Sequence, residues 1–412
     1  MREPREVTER LNAKRLMIYS HDTFGLGHLR RCRAIAHSLV ERFKGLTILI
    51  LSGSPIIADF DFRARVDFIR IPGVIKLFNG EYTSLGLKID LKDTLSIRES
   101  IIRNTTREFA PDLFLVDKEP LGLKGEMTDT LRMLKGTGTK TILGLRDIMD
   151  EPTLLKREWA GRDMLSAMYD LYDDIWIYGL EEFFNPLTTM DVTPALRDKI
   201  IYTGYLPRSL PKEHHPPEKL DMEEPYILVT PGGGGDGATM VDWVMRAFEG
   251  DDAPPFGALM VLGPFMPPEL RAEFMDRAAK LDRVKVISFD SRMEVLMANS
   301  VGVISMGGYN TFCEILSYDK RALVIPRMEP RKEQLNRATR ADELGLSKML
   351  IPDGDLDTRT MVEALRNLPD QNKPSESLLP GMLDGLDRIG ALVRSSVEDE
   401  GGIQRPLRAL WS

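Results

Sequence analysis

Short apolar runs alternate with stretches of helical spacing along the first half of the chain. Continuous apolar runs of strand length are typical of parallel strands that are covered on both faces. Helical stretches between such runs fit βαβ units, so the pattern predicts a doubly wound parallel sheet. The runs are Leu16–Ser20, Thr47–Leu51, Leu113–Val116, Thr141–Leu145, Ile175–Tyr178 and a last one within residues 200–206.

The second half of the chain repeats this alternation. Each apolar run is followed by Gly, Pro or polar residues and then by a helical pattern, which predicts a second Rossmann-like unit. Residues 75–95 are too mixed in character to assign. The runs of the second half are Tyr226–Val229, Ala258–Leu262, Val284–Ile287, Val301–Ile304 and Ala322–Ile325.

The composition between and after these halves predicts the domain boundaries. A stretch rich in proline, histidine and charge separates the halves, as expected of a linker. From Leu378 onward, apolar residues recur at helical spacing and form one stripe that needs a partner surface. We therefore expect an N-terminal domain at residues 1–207, a linker at 208–224, a C-terminal domain at 225–377 and a C-terminal helix within 378–412.

Bulk properties narrow the class of protein. The chain has 412 residues, more than one ordinary core holds, so two domains are expected. Its net charge of -8, with acidic and basic residues interspersed, argues against a general nucleic-acid binder. Cys32 and Cys313 have no spacing typical of a disulfide or metal site, which fits a reducing cytoplasm. Neither a secretory signal nor a bilayer-spanning segment is expected, although peripheral membrane contact stays open.

The segment from Gly302 to Glu314 carries the strongest chemical signal. An apolar run gives way to the Gly307-Gly308 turn and then to a helix, as in a strand that feeds an anion-binding helix N-terminus. Such a site receives a phosphate. One helical turn on, Glu314 can reach a ribose diol, and Glu333 with Gln334 offers an acceptor and a donor to a polyhydroxyl ring. Together these groups favour a nucleotide-sugar ligand.

Two further turns are rich in glycine. Gly232-Gly-Gly-Gly235 follows the first run of the second half and lets backbone N–H groups approach a diphosphate closely. In the first half, Gly25-Leu-Gly27 brings His28 into the first turn of a helix. The helix dipole disfavours an imidazolium there, so His28 is expected to stay neutral and able to accept a proton.

Other polar residues stand where the strands of the first half end. His21, Asp117 and Asp147 occupy such positions, and the two carboxylates could orient His28 or an acceptor, or only cap helices. The run Arg30-Arg31-Cys32-Arg33 predicts a solvated helix face, with Arg30 or Arg31 available to an anionic acceptor. His214-His215 has no carboxylate or thiol at ligand spacing, so no metal site is predicted.

These segments, with the Gly27-His28-x-x-Arg31 turn, resemble GT-B glycosyltransferases. The resemblance is greatest to the family 28-like branch, which holds the N-acetylglucosaminyltransferase that forms lipid II and predicted bacterial glycosyltransferases related to it. It implies an α/β fold of two Rossmann-like, doubly wound parallel-sheet domains that face each other across a cleft. The N-terminal domain would bind the acceptor, and the C-terminal helix would cross back to it.

The same resemblance implies transfer of a hexosyl group from a nucleotide-diphosphate sugar, with UDP-sugars as the first candidates. The reaction would be inverting and metal-independent and would need no cofactor, with His28 as the base and Asp117 and Asp147 in support. The acceptor would be a carbohydrate, lipid-linked or small-molecule hydroxyl in the cytoplasm or at the inner face of the membrane. The implied donor-binding residues are Gly27, Gly233, Gly234, Gly235, Ser305, Met306, Gly307, Gly308, Asn310, Thr311, Glu314, Arg327, Glu333 and Gln334.

Besides a sugar-nucleotide 2-epimerase of the GT-B fold, which the sequence favours least, two alternatives stay open at the level of sequence. Gly27-His28-x-x-Arg31-Cys32 also resembles the UDP-sugar hydrolase of pseudaminic acid synthesis, which has the same fold and would use the histidine to activate water. From another class, the chain could be a noncatalytic nucleotide-sugar-binding regulator or scaffold. The presence of His28 disfavours that second alternative, because a regulator needs no neutral base beside its ligand.

Overall fold

The chain forms two compact units in a computed structural model. The structure describes residues 9–10, 13–21, 27–76, 81–160, 164–210, 225–233, 235–290, 292–329, 331–352 and 354–398. Unit 1 comprises Met1–Leu206 and Asp384–Ser412, and unit 2 comprises Pro207–Leu383. Most of the predicted linker, residues 211–224, lies outside the described residues.

Unit 1 is built on a seven-stranded parallel sheet with the order β7-β6-β5-β4-β1-β2-β3. This is the strand order of the Rossmann fold. Strands β2 and β3 follow on one side of β1 and strands β4 to β7 on the other, so the order reverses between β1 and β4. The strands are β1 Arg15–Ser20, β2 Thr47–Ser52, β3 Val66–Arg70, β4 Leu113–Asp117, β5 Lys140–Arg146, β6 Asp174–Tyr178 and β7 Ile200–Tyr202.

Helices cover the sheet of unit 1. They are α1 Gly27–Arg42, α2 Leu91–Phe109, α3 Thr128–Lys135, α4 Pro152–Ala160, α5 Met164–Leu171 and α6 Pro194–Arg197, with 3-10 turns at Ile57–Asp59 and Leu123–Gly125. Two short strand pairs accompany them, Glu9–Arg10 with Phe43–Lys44 and the antiparallel hairpin of Val74–Lys76 with Tyr82–Ser84. The central strands are apolar because both of their faces are covered, and Met17, Ile18 and Tyr19 of β1 have no exposed surface.

The hairpin and the start of α2 fall largely within residues 75–95, which the sequence left unassigned, and strand β3 was not predicted. Strand β3 lies at the edge of the sheet and pairs only with β2. Its sequence carries Asp67 and Arg70 among apolar residues, as an edge strand with one wet side allows. The continuous apolar signal of a central strand is therefore missing there.

Unit 2 has a six-stranded parallel sheet with the order β10-β9-β8-β11-β12-β13. The order is again that of the Rossmann fold, with the reversal between β8 and β11. Its strands are β8 Tyr226–Thr230, β9 Gly257–Val261, β10 Val284–Ile287, β11 Gly302–Ser305, β12 Ala322–Val324 and β13 Lys348–Met349. Its helices are α7 Ala238–Glu249, α8 Pro268–Ala278, α9 Met293–Asn299, α10 Tyr309–Ser317, α11 Glu333–Glu343 and α12 Thr358–Asn367, with 3-10 turns at Leu368–Asp370 and Pro374–Glu376.

The last helix, α13 at Gly385–Glu398, belongs to unit 1 and packs on α1. The apolar spacing noted from Leu378 thus becomes helical only at Gly385, and Ile389 and Val393 are its fully buried residues. At the far end of α1, the Arg42 guanidinium donates to the Asp387 carbonyl at 2.9 Å and to its carboxylate at 2.8 Å. Within the described ranges, each helix is too short or too polar to cross a lipid bilayer.

Gly385 allows the start of α13 to approach the backbone of unit 1. Its N–H donates to the Tyr205 carbonyl at 3.1 Å, and a Cβ at Gly385 would lie 2.4 Å from that oxygen and 2.7 Å from the Gly204 oxygen. Rigid backbone atoms cannot yield as a long side chain would, so even one added methyl group forces the helix away.

We predict that Gly385→Ala destabilises unit 1 by about 1 to 3 kcal/mol, the usual cost of overpacking a close contact. Chemical denaturation followed by circular dichroism measures the effect. Gly86→Ala is the matched control, because a Cβ there would meet no atom within 4 Å. Equal denaturation midpoints for the two variants would show that α13 does not depend on this approach.

Candidate active site

His28 and Asp117 meet at the carboxyl end of β4, beside β1, where the strand order of unit 1 reverses. Helix α1 starts at Gly27, so His28 lies in its first turn, and Asp117 is the last residue of β4. Strand β4 pairs with β1, the strand that precedes α1. The histidine Nδ1 is 2.6 Å from the Asp117 carboxylate oxygen Oδ2. Sequence reasoning placed both residues at this edge, and the structure joins them.

The shortest contact of Nδ1 defines the tautomer of His28. Arg31 Nη2 also lies 3.0 Å from Nδ1, but it donates to Asp117 Oδ2 at the shorter distance of 2.7 Å. An ionised carboxylate only accepts hydrogen bonds, and two lone pairs would face each other at 2.6 Å if Nδ1 carried no proton. Nδ1 therefore donates its N–H to Asp117, and Nε2 of the neutral ring is the proton acceptor. Within the described part of the chain, Nε2 has no hydrogen-bond partner, and 17% of the His28 side chain is exposed.

Arg31 holds the same carboxylate from the next turn of α1. Its Nε donates to Oδ1 of Asp117 at 2.9 Å and its Nη2 donates to Oδ2 at 2.7 Å. The side chains of Arg31 and Asp117 are 1% and 0% exposed. The expectation that Arg31 belongs to a solvated helix face is therefore wrong, because the residue three positions after His28 lies on the same inward face of the helix.

Burial and the ion pair set the charges in this cluster. Burial alone would raise the pKa of Asp117, but Arg31 and His28 together hold it below its usual range. Burial lowers the pKa of His28 from 6.5 to about 3, although Asp117 acts in the opposite direction and Arg31 and Lys118 add to the lowering. His28 is therefore a neutral base at physiological pH, as the sequence predicted from its place on the helix.

A second polar network of unit 1 lies beside the histidine cluster. The His21 ring stands edge-on to the His28 ring, with centroids 5.8 Å apart. The Tyr19 hydroxyl donates to Glu126 at 2.5 Å, and Arg98 donates to both oxygens of that carboxylate at 2.6 Å. Sequence reasoning missed Arg98 and Glu126, because no motif spacing links the two residues.

Asp147 has a different partner from the one expected. It follows β5 and is fully buried, and its carboxylate accepts a hydrogen bond from the Tyr205 hydroxyl at 2.8 Å. The hydrogen-bond contacts of His28 within the described chain are with Asp117 and Arg31 and not with Asp147, so the carboxylate that orients His28 directly is that of Asp117. Gly27 is the exposed first residue of α1, whereas Gly25 lies outside the described residues.

In unit 2, the Gly307-Gly308 turn connects β11 to α10. Gly307 adopts a left-handed φ of 72°, and a Cβ there would lie 2.7 Å from Val324 Cγ1. A Cβ at Gly308 would meet no atom within 4 Å, so the turn is open on that side. The half-buried Gly308 directly precedes the N-terminus of α10, and such a terminus attracts anions.

Buried polar residues support this turn from behind. Ser305 accepts a hydrogen bond from the Gly307 N–H at 3.3 Å, and Asn310 accepts one from the Arg208 guanidinium at 2.9 Å. Arg337, which sequence reasoning missed, is buried and donates to the Gly307 carbonyl at 3.0 Å. Its spacing of four residues from Glu333 on α11 was an available signal, since it places both side chains on one helix face.

The remaining residues around the Gly307-Gly308 turn that were predicted to bind the sugar donor are also buried. Thr311 is 8% exposed and Glu314 is 3% exposed. Met306 is buried as well, and its sulfur would lie 3.4 Å from a Cβ at Gly237. The loop after β8 and the turn after β11 therefore touch, as expected for strands that flank the reversal point of a doubly wound sheet.

Arg327 joins three polar groups of unit 2. Its backbone N–H donates to the Gln334 side-chain oxygen at 2.9 Å, and its guanidinium donates to Glu333 Oε1 at 2.6 Å and to Asp236 at 2.5 Å. The other oxygen, Glu333 Oε2, is buried and has no hydrogen-bond partner within the described ranges. An unsatisfied buried carboxylate oxygen is costly unless a ligand supplies a donor.

The glycine-rich loop follows β8, the strand next to β11. The Gly233 carbonyl accepts from the Phe265 N–H at 2.9 Å, while Gly235 is exposed and Gly234 lies outside the described residues. A Cβ at Gly263 would lie 2.5 Å from the Gly232 oxygen, so the loop is packed closely from one side.

Comparison with known proteins relates this architecture to enzymes that transfer sugars. Residues 267–378, within unit 2, match the glycosyltransferase family 28 C-terminal domain. Along its length, the chain is similar to an uncharacterized glycosyltransferase of Methanosarcina acetivorans, with 23% identity over 387 residues that cover 90% of this chain and 96% of the relative.

Two solved structures show the fold to which both units belong. One is CalG4, the calicheamicin glycosyltransferase, with a TM-score of 0.61 and 15% identity over 94% of this chain and 100% of the other. The second is MurG of Acinetobacter baumannii, with a TM-score of 0.55 and 13% identity over 93% of this chain and 99% of the other. The predicted GT-B fold is confirmed.

The depressed pKa of His28 has a consequence for stability. Folding keeps the ring neutral, whereas the unfolded chain binds a proton on it below about pH 6.5. The unfolded state thus holds more protons between pH 6.5 and about 3, so the stability of unit 1 falls as pH falls through this window. His37, whose pKa burial lowers to about 4, acts in the same direction.

We predict that His28→Gln flattens the decline in melting temperature between about pH 6.5 and pH 4.5, because one proton less separates the unfolded from the folded state. Calorimetry across that range measures the slope, and His37→Gln provides a comparison on the same helix. A slope that His28→Gln leaves unchanged would mean that His28 is charged in the folded protein.

Proposed function

We propose that this glycosyltransferase uses a nucleotide-diphosphate sugar, in the first instance a UDP-sugar, as its donor, and the match of residues 267–378 to the glycosyltransferase family 28 C-terminal domain supports this. The acceptor is a hydroxyl group of a carbohydrate, a lipid-linked glycan or a small molecule. Transfer proceeds by a single displacement that inverts the anomeric carbon, without a metal or a cofactor, in the cytoplasm or at the inner face of the membrane.

The observation that carries the donor assignment is the unsatisfied carboxylate oxygen of Glu333. Oε1 is occupied by Arg327 at 2.6 Å, whereas the buried Oε2 has no donor within the described chain. Gln334 lies next to it in the first turn of α11. A sugar ring supplies hydroxyl donors in such a place, and a charge-assisted hydrogen bond to one of them would satisfy Oε2.

The Gly307-Gly308 turn supports a role in holding the diphosphate. The turn is open at Gly308, and the N-terminus of α10 favours negative charge. Negative charge grows on the diphosphate as the bond to the sugar breaks, so preorganised N–H groups and a helix dipole lower the barrier. Glu314, one turn into α10, would accept hydrogen bonds from the ribose hydroxyls.

The neutral ring of His28, with Nδ1 bound to Asp117, supports its assignment as the base. Its Nε2 would take the proton of the acceptor hydroxyl as the oxygen bonds to the anomeric carbon, and the bond from that carbon to the diphosphate oxygen would break. The proton then rests on Nε2, and the imidazolium is stabilised by Asp117 at Nδ1. A positioned general base of this kind contributes about 10² to 10⁴ in rate.

We predict that Glu314→Ala weakens binding of UDP and of UDP-sugars at least about tenfold, because charge-assisted hydrogen bonds to the ribose are worth about 1.5 to 3 kcal/mol each. Glu333→Ala should weaken only binding of the UDP-sugar, since UDP lacks the hexosyl group that Glu333 would hold. Titration calorimetry with UDP and a panel of UDP-sugars measures both. Glu343→Ala, on the exposed end of α11, is the control, and unchanged affinities in the two site variants would remove the donor assignment.

We predict that His28→Ala leaves UDP-sugar affinity nearly intact and lowers turnover by about 10² to 10⁴. The assay follows UDP release and sugar transfer to extracted lipid and glycan fractions. His37→Gln, on the same helix, should keep its turnover. Loss of affinity or folding with normal turnover at saturating substrate would indicate a packing role for His28. Fast release of free sugar by the wild type without acceptor would instead indicate a hydrolase.

A further inference from the structure

We infer that Arg31 is a positioning residue for the proposed base: it keeps Asp117 ionised and oriented so that the carboxylate accepts the Nδ1 proton of His28 and leaves Nε2 free to accept another. The inference rests on the proposed function, in which His28 is the base. It adds a third member that never touches the substrate, because the Arg31 side chain is only 1% exposed.

The contact between Arg31 and Asp117 orients the carboxylate as well as neutralising it. Two N–H groups of one planar guanidinium engage the two oxygens, at 2.9 and 2.7 Å. A forked contact of this kind restricts rotation of the carboxylate, which a single bond from an ammonium group would not. Oδ2 is consequently directed to His28 Nδ1, at 2.6 Å.

The consequence of losing Arg31 follows from the burial of Asp117. A fully buried carboxylate without a cation takes up a proton, because burial penalises the charged form. A protonated carboxyl group donates its O–H, so it would meet an unprotonated Nδ1 and shift the His28 proton to Nε2. Nε2 would then be a donor, and the ring would no longer serve as a base on its exposed side.

The aromatic ring of Tyr178 lies beside the Arg31 guanidinium. The Arg31 guanidinium lies 5.7 Å from the centroid of the Tyr178 ring, within reach of a cation–π interaction. The Tyr178 hydroxyl occupies the space that a side chain at Gly144 would fill and has no hydrogen-bond partner within the described residues. The aromatic ring, and not the hydroxyl, is therefore the part that contacts Arg31.

The ionisable groups around the cluster include His21, whose ring centroid lies 5.8 Å from that of His28. Lys118, next to Asp117, lowers the pKa of His28, and Cys32 and Tyr178 raise the pKa of Arg31. None of these matches the pairing of Asp117 with Arg31, in which both oxygens of the carboxylate are engaged. The protonation of Asp117 therefore depends mainly on Arg31.

The test is the tautomer of His28 in the full-length protein, observed by NMR of samples with ¹⁵N-labelled histidine and assigned with His28→Gln. The wild type should carry its proton on Nδ1 from about pH 6 to pH 9. In Arg31→Met the proton should lie on Nε2 at about pH 6 and return to Nδ1 as Asp117 ionises toward about pH 9. A residue with only a packing role would not produce this pH-dependent exchange.

Controls separate the inference from loss of folding. Tyr178→Phe keeps the ring and should leave the tautomer unchanged. Arg31→Lys keeps a charge without the fork and should fold even if Arg31→Met does not, and its His28 should show a measurable Nε2-protonated population at about pH 6. A folded Arg31→Lys or Arg31→Met protein with the wild-type tautomer throughout would overturn the inference. A normal turnover of His28→Ala would instead overturn the base assignment and leave the role of Arg31 intact.

Discussion

The ion pair between Arg31 and Asp117 is the constraint on which the chemistry of unit 1 depends. An isolated charge in a protein interior costs several kcal/mol, so burial of either charged side chain without the other would be strongly unfavourable. Their pairing joins the first turns of α1 to the end of β4, elements whose paired residues lie 86 positions apart in the chain. His28, three residues before Arg31, is oriented by this junction and by the carboxylate that both residues share.

Unit 2 has the same type of strand order as unit 1, but different residues lie at its reversal point. Its reversal point lies between β8 and β11, and the turns that follow these strands are rich in glycine. Backbone N–H groups and a helix N-terminus suit the diphosphate that we propose to bind there. Arg327 is already engaged by Asp236 and Glu333, and it positions the carboxylate that we propose to hold the sugar.

The sequence predicted those parts of the fold and site that depend on local pattern. The buried strands were recognisable because both faces are covered, and His28 and Asp117 were recognisable because ligands gather at the carboxyl ends of parallel strands. The sequence did not reveal the partner of Asp147 or the pairings of Arg31 and Arg98. These depend on which strands lie side by side and on which face of a helix turns inward, and a run of three arginines within four residues looks solvated until the sheet order places Asp117 beneath it.

Reactivity of His28 toward diethyl pyrocarbonate tests the central claim, a neutral imidazole with a free Nε2, without knowledge of the substrate. The reagent modifies unprotonated nitrogen, and peptide mass spectrometry gives the rate at His28 in the wild-type protein. A histidine with an ordinary pKa loses about tenfold in rate between about pH 7.5 and pH 5.5. With a His28 pKa of about 3, the rate should stay constant over this range. A tenfold decline with a midpoint near pH 6.5 would contradict the account.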